Sequence, residues 1–143
     1  MTVESILRQK GADVVIIAPK ASLKNAADWL RAKNVGALVV TSGDAILGII
    51  SERDIVRAFS QHGQFLTSMM VKDVMVQALI TVKPDDDLNH AMGLMTHYHV
   101  RHLPVIRDRK LAGIISIGDV VKHRLKDLQM EANVLRDAYI ASH

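Results

Sequence analysis

Gly48-Ile49-Ile50-Ser51-Glu52-Arg53-Asp54 and Gly113-Ile114-Ile115-Ser116-Ile117-Gly118-Asp119 are one segment written twice, 65 residues apart. Each opens as a β-branched run that reads as a buried strand. Each closes on a serine with an aspartate three residues later, the signature of a helix start. The same offset, without a gap, repeats Pro19, Leu23, Ala26, Val35, Leu38, Val40 and Val56 as Pro84, Leu88, Ala91, Val100, Leu103, Val105 and Val121. Together with the segment itself this makes twelve identities, an internal duplication covering most of the chain.

Working outward, both copies read alike. VVIIAP and LITVKP are short strands stopped by a proline. Leu23, Ala26, Ala27 and Leu30 share one helical face, matched by Leu88, Ala91, Met92 and Met95, with Ser22 and Asp87 as N-caps. Two strands follow, ALVVT to AILGIIS and HLPVI to LAGIIS, joined by SGD and RDRK. A second helix then opens at Ser51 or Ser116. The expectation is an α/β (α+β) chain of two β-α-β-β-α repeats at 8–62 and 76–125, with 63–75 packed on the core as a linker and 126–143 as a helical extension. The last helix is expected from about Gly118 to Ala141, where Val121, Leu125, Leu128, Ala132, Leu135 and Tyr139 form a short heptad seam. Such a helix either folds back on its own core or meets a second copy.

The 143 residues are 49% hydrophobic and 23% charged, enough apolar material for a real core and too little charge bias for a disordered chain. Aromatics at 3% are too few for a base-stacking platform, and the net charge of +3 is spread rather than massed, so nucleic acid is not the expected partner. The absence of cysteine removes thiolate metal sites and thiol nucleophiles. No apolar run has membrane-span length, and MTVESILRQKG lacks a signal peptide's apolar stretch, so a cytoplasmic location and no membrane partner are expected.

The repeated segment carries the candidate chemistry. A helix N-terminus offers free N–H groups and positive partial charge to an anion, a serine adds a hydroxyl, and an aspartate one turn in accepts hydrogen bonds from vicinal hydroxyls such as those of ribose. Ser-x-x-Asp is equally a capping box. The two roles are compatible, since one serine can cap a helix and touch a ligand. His97, His99 and His102 are too spread across a helix end and a strand start to converge on a metal. No nucleophile elbow, P-loop or His-Glu-x-x-His appears, so an enzyme is not expected.

Read together, GIISERDIV, VRHLPVI and GIISIGDVV resemble the tandem cystathionine-β-synthase-type (CBS) domain pair, or Bateman module, over residues 1 to about 125. The resemblance implies two repeats packed about a pseudo-two-fold axis, with two clefts for adenosyl ligands: AMP, ADP, ATP, NAD(H) or S-adenosylmethionine. Carried over by motif, the first cleft would use Ile49, Ser51, Arg53 and Asp54 with Leu79, Ile80, Arg101 and His102. The second would use Ile114, Ser116 and Asp119 with Ala12, Val35, Gly36 and Ala37. Aspartate would hold the ribose, serine and basic residues the phosphate, and strand residues the adenine. The clefts differ: Arg101, His102 and Arg53 of the first are matched by Gly36, Ala37 and Gly118 in the second. The implied function is a non-enzymatic, homodimeric regulatory module whose nucleotide occupancy alters contacts with a regulated protein. The alternative is a structural dimerisation or interaction protein without ligand.

Overall fold

The computed structural model describes residues 1–77 and 79–142. In the first repeat, β1 (Ile16–Ile17) leads to helix α2 (Leu23–Lys33), then β2 (Ala37–Ser42), β3 (Ala45–Ser51) and α3 (Glu52–His62). The second has α5 (Leu88–Tyr98), β4 (His102–Arg107), β5 (Lys110–Ser116) and α6 (Ile117–Ser142). Helix α1 (Val3–Lys10) precedes both. Between them lie a 3-10 segment, Gly63–Ser68, and the single turn α4 (Val71–Val74).

The expected N-caps form: Ser22 Oγ accepts from Asn25 N at 3.0 Å, and Asp87 Oδ1 from Asn89 N at 2.7 Å. Both helices end on a left-handed residue, Asn34 and His99. The hairpins keep register: Ala37 pairs with Ser51 and His102 with Ser116, each with an irregularity midway, after Val40 and Val105.

Where the first strands of the two copies diverge, one residue accounts for it. In repeat 1, β1 runs parallel to β2, pairing Ile17 with Val40, and Val39 N–H donates to Val15 O at 3.1 Å. LITVKP, expected to be the matching strand, contracts to a single parallel bridge between Val82 and Val105. Pro104 stands where repeat 1 has Val39 and has no N–H to give, so the ladder cannot extend towards Ile80.

Each hydrophobic core borrows a piece from outside its repeat. Val3, Ile6 and Leu7 of α1 pack with Val82, Leu88, Ala91, Met95, Leu103, Val105, Ile115 and Val120. Val71, with Leu66, Met69, Val74 and Met75 beside it, packs with Ile17, Leu23, Ala26, Leu30, Leu38, Val40 and Ile50. The two borrowed segments explain two glycines. A Cβ at Gly113 would lie 2.7 Å from a Leu7 methyl, and one at Gly48 2.6 Å from the Val76 carbonyl oxygen.

Helix lengths differ sharply. α3 stops after 11 residues at Gly63, whose positive φ of 55° is open to glycine at little cost. α6 meets no glycine or proline after Gly118 and runs 26 residues, about 39 Å at 1.5 Å per residue. It does not fold back. Val121, Leu125, Leu128, Leu135 and Tyr139 are 51–71% exposed, and only Val120 and His123 of this helix are buried.

Candidate functional site

Strand β3 ends and α3 begins at Ser51, which presents its backbone beside a helix N-terminus. The capping box is complete: Asp54 N donates to Ser51 Oγ at 3.3 Å, while Ser51 N and Ser51 Oγ donate to Asp54 Oδ2 at 2.8 and 2.9 Å. The two bonds that Ser51 donates end on the same carboxylate oxygen. Asp54 Oδ1 accepts no bond from the described residues, so the cap leaves half of the carboxylate available.

A cavity of about 290 Å³ opens over this turn. All eight residues expected for the first cleft line it: Ile49, Ser51, Arg53 and Asp54 from repeat 1, and Leu79, Ile80, Arg101 and His102 from repeat 2. Gly36, expected in the second cleft, lines this cavity as well, because His102 lies against it; a Cβ at Gly36 would be 3.1 Å from His102 Nε2. Glu52, Arg57, Val76, His99, Val100 and Pro104 complete the lining and were not anticipated. Arg57 was findable, since it stands four residues after Arg53 on the same helix face. His99 was not, because its place depends on the left-handed turn that ends α5.

Three arginines, two histidines, one glutamate and one aspartate thus face an otherwise apolar cavity. His102 titrates below the usual imidazole value. Burial is the largest cause; Lys10 adds to it, and Asp119, Asp54 and Glu52 oppose it. Carboxylates of both repeats thus act on this ring.

The second helix start repeats the cap. Ser116 N donates to Asp119 Oδ2 at 2.9 Å and Asp119 N to Ser116 Oγ at 3.1 Å. Here a cation is also present: Lys10 Nζ donates to Asp119 Oδ2 at 2.7 Å and to the Ile114 carbonyl at 2.9 Å. Burial tends to raise the Asp119 pKa, but the Lys10 and Ser116 bonds outweigh it and hold the carboxyl below its ordinary value. Of the other residues expected here, Ala37 is buried at the start of β2, Val35 packs against the repeat 1 core, and Ala12 is exposed. Lys10 was missed: at the 65-residue offset its counterpart is Met75, so the duplication gives no hint of an ion pair. Among the described residues no group of three or more histidine and acidic side chains is arranged to hold a metal, and His97 packs edge-on against Tyr98 at 4.7 Å.

The CBS domain family matches the chain twice, over residues 3–61 and 71–126, each match including one of these helix starts. The chain belongs to the CBS-domain family. Its relatives include the mitochondrial CBS domain-containing protein CBSX3 of Arabidopsis thaliana, 35% identical over 97% of this chain and 71% of its own length. Among solved structures, a CBS-domain containing protein from Agrobacterium tumefaciens is 39% identical, with a TM-score of 0.84 over 87% of this chain and 99% of that one. The CBS domain pair of protein MJ0100, in complex with 5'-methylthioadenosine and S-adenosyl-L-methionine, shares the fold at 23% identity, with a TM-score of 0.79 over 89% of this chain and 98% of that one. No helix among the described residues is long and apolar enough to cross a membrane.

Proposed function

We propose that the chain is a non-enzymatic regulatory module that binds an adenosyl ligand with a phosphate, of the AMP, ADP, ATP or NAD(H) kind, in the cavity over Ser51, and that occupancy changes its contacts with a regulated protein. The observation that carries this reading is the gathering of Ile49, Ser51, Arg53 and Asp54 with Leu79, Ile80, Arg101 and His102 around one cavity. Asp54 Oδ1 accepts from the ribose hydroxyls while Oδ2 keeps the cap. The phosphate meets the N-terminus of α3, Arg53, Arg57 and Arg101. Ile49, Val76, Leu79 and Ile80 flank the adenine. Because Pro104 cannot bond the Ile80 carbonyl, that oxygen is the acceptor for the exocyclic amino group. The ligand bound by MJ0100 supports the adenosyl class, and the arginines favour a phosphate over a sulfonium.

In this reading the functional units are 8–62 and 76–125, with 63–75 packed on the core, and 126–143 extends α6 towards a second copy of the chain in a cytoplasmic homodimer. The exposed seam of α6 is what favours self-association. Dye-monitored melting with AMP, ADP, ATP, NAD(H) and S-adenosylmethionine tests the ligand. A ligand at 100 times its dissociation constant adds about 2.7 kcal/mol. No shift with any of the five, and no small molecule released from the purified protein in a mass spectrum, leaves the interaction protein without ligand as the better description.

A further inference from the structure

Where the family resemblance implies a second cleft, the helix start already holds a cation of the chain itself. Lys10 is the last residue of α1, a helix that belongs to the core of repeat 2, and its ammonium spans from the end of β5 to the first turn of α6. It donates to the Ile114 carbonyl at 2.9 Å and to Asp119 Oδ2 at 2.7 Å. The two side chains keep 32% and 25% of their exposure, so the pair sits at the surface and is partly covered.

The matching positions of repeat 1 are filled differently. Met75 stands for Lys10, and the carbonyl of Ile49, counterpart of Ile114, is taken by the backbone N–H of Val76 at 2.8 Å. Asp54, counterpart of Asp119, receives bonds from Ser51 alone and pairs with no cation of the described residues. One cleft therefore has an open cavity and a carboxylate that is in no ion pair among the described residues. In the other, the same carboxylate and the strand-end carbonyl share one ammonium.

We propose that Lys10 is an internal competitor for the second cleft, so that an adenosyl ligand fills the first cleft alone at concentrations that saturate it. This rests on the adenosyl reading of the first cleft. A ribose held by Asp119 has to displace a charge-assisted hydrogen bond, and the displaced ammonium is tethered a few residues away. A tethered group of this kind acts at an effective concentration on the order of millimolar, so it re-forms its two bonds whenever the ligand leaves and weakens the second site relative to the first. Removing the ammonium therefore opens the site without changing the fold of the carboxylate's turn, because Ser116 caps that turn independently.

Calorimetric titration with AMP on the full chain and on Lys10→Met, which installs the residue of repeat 1, tests the competition. The expected result is one site in the unaltered protein, weakened roughly 10- to 150-fold in Asp54→Ala, and two sites in Lys10→Met. One of those two should survive in Lys10→Met/Asp54→Ala. Two sites in the unaltered protein, or a single site in Lys10→Met, overturns the competition while leaving the first-cleft reading intact. No AMP binding by either protein overturns both. A ligand-free measurement guards against a variant that folds poorly. In limited amine acylation read by peptide mass spectrometry, Lys10, held by two acceptors, should react at least about fivefold more slowly than Lys122. In Asp119→Asn the difference should shrink, and equal rates in the unaltered protein overturn the proposal.

Discussion

The two repeats use the same frame and fill it with different neighbours. Ser51 and Ser116 cap their helices in the same way, and Ala37–Ser51 and His102–Ser116 hold the same register. Yet the edge of β3 is covered by backbone, Val76 paired to Ile49, whereas Ile114 in β5 receives a lysine side chain. The difference shows how duplication divides labour: capping and register come from residues within the segment and are copied with it. What fills the cleft comes from the segment preceding the opposite repeat, Met75-Val76 in one case and Lys10-Gly11 in the other, and these have diverged.

The largest contrast is in the closing helices, 11 residues for α3 against 26 for α6. If the exposed seam exists to meet a second copy, truncation after Leu125 should convert a dimer into a monomer at micromolar concentration while leaving the core of repeat 2, which uses only Val120 of this helix, in place. Analytical ultracentrifugation of both forms reads the result. An unchanged oligomer after truncation shifts the contact to other exposed apolar residues such as Val56 and Phe59 on α3.

A second test sets Gly48 against Gly113. A methyl at Gly48 meets backbone at 2.6 Å, and a carbonyl paired to a strand cannot turn aside. Gly48→Ala should cost about 3 kcal/mol, the upper range for overpacking, a fall of roughly 10 °C in melting temperature. At Gly113 the obstacle is the end of the Leu7 side chain, 2.7 Å away, which has other rotamers. Gly113→Ala should cost about 1 kcal/mol. Equal losses would mean that α1 is held as rigidly in repeat 2 as the Met75-Val76 segment is in repeat 1.

How much of this was legible in the sequence follows the same division. Elements fixed by local chemistry were readable: the caps at Ser22 and Asp87, the paired strand runs of each hairpin, the two helix starts, and the long last helix with no stop signal. The eight residues that the family resemblance named for the first cleft do line one cavity, which is a placement and not yet a ligand site. Other long-range placement was not readable. Nothing in LITVKP reveals that Pro104, some twenty residues later, withholds the N–H that a ladder needs. Likewise, Lys10 looks like an ordinary basic residue in the last turn of a helix until folding brings it 109 positions along the chain to Asp119.

The third test compares the carboxylates. Asp54→Ala should weaken AMP binding at the first cleft by about 1.5 to 3 kcal/mol, roughly 10- to 150-fold, the range for hydrogen bonds to a charged group. Asp119→Ala should leave that affinity unchanged, since its carboxylate serves Lys10 and the cap of α6. If Asp54→Ala binds AMP normally and only melts lower, Asp54 is a cap and nothing more.

The smallest expected effect belongs to His102, the residue that both repeats influence. Burial holds its pKa below the ordinary imidazole value, with Lys10 adding to this and Asp119, Asp54 and Glu52 opposing it, so the ring is neutral at pH 7 in the free protein. For folding the sign is unfavourable in acid. As pH falls through about 6.5 the unfolded chain takes the proton first, and stability declines until the folded value is passed. For ligand binding the sign reverses. A phosphate beside the ring favours the imidazolium, so AMP binding takes up a proton and affinity should rise, about two- to threefold between pH 7.5 and 6.3. Below pH 6 the phosphate loses its own second charge and the gain ends. Adenosine has no phosphate and should show no such rise, which separates the ring's effect from a general change in the cleft. Titrations of AMP in two buffers of different ionisation enthalpy should report the proton uptake directly, and His102→Gln should abolish it. Uptake that persists in His102→Gln would assign the proton to another group at the cleft.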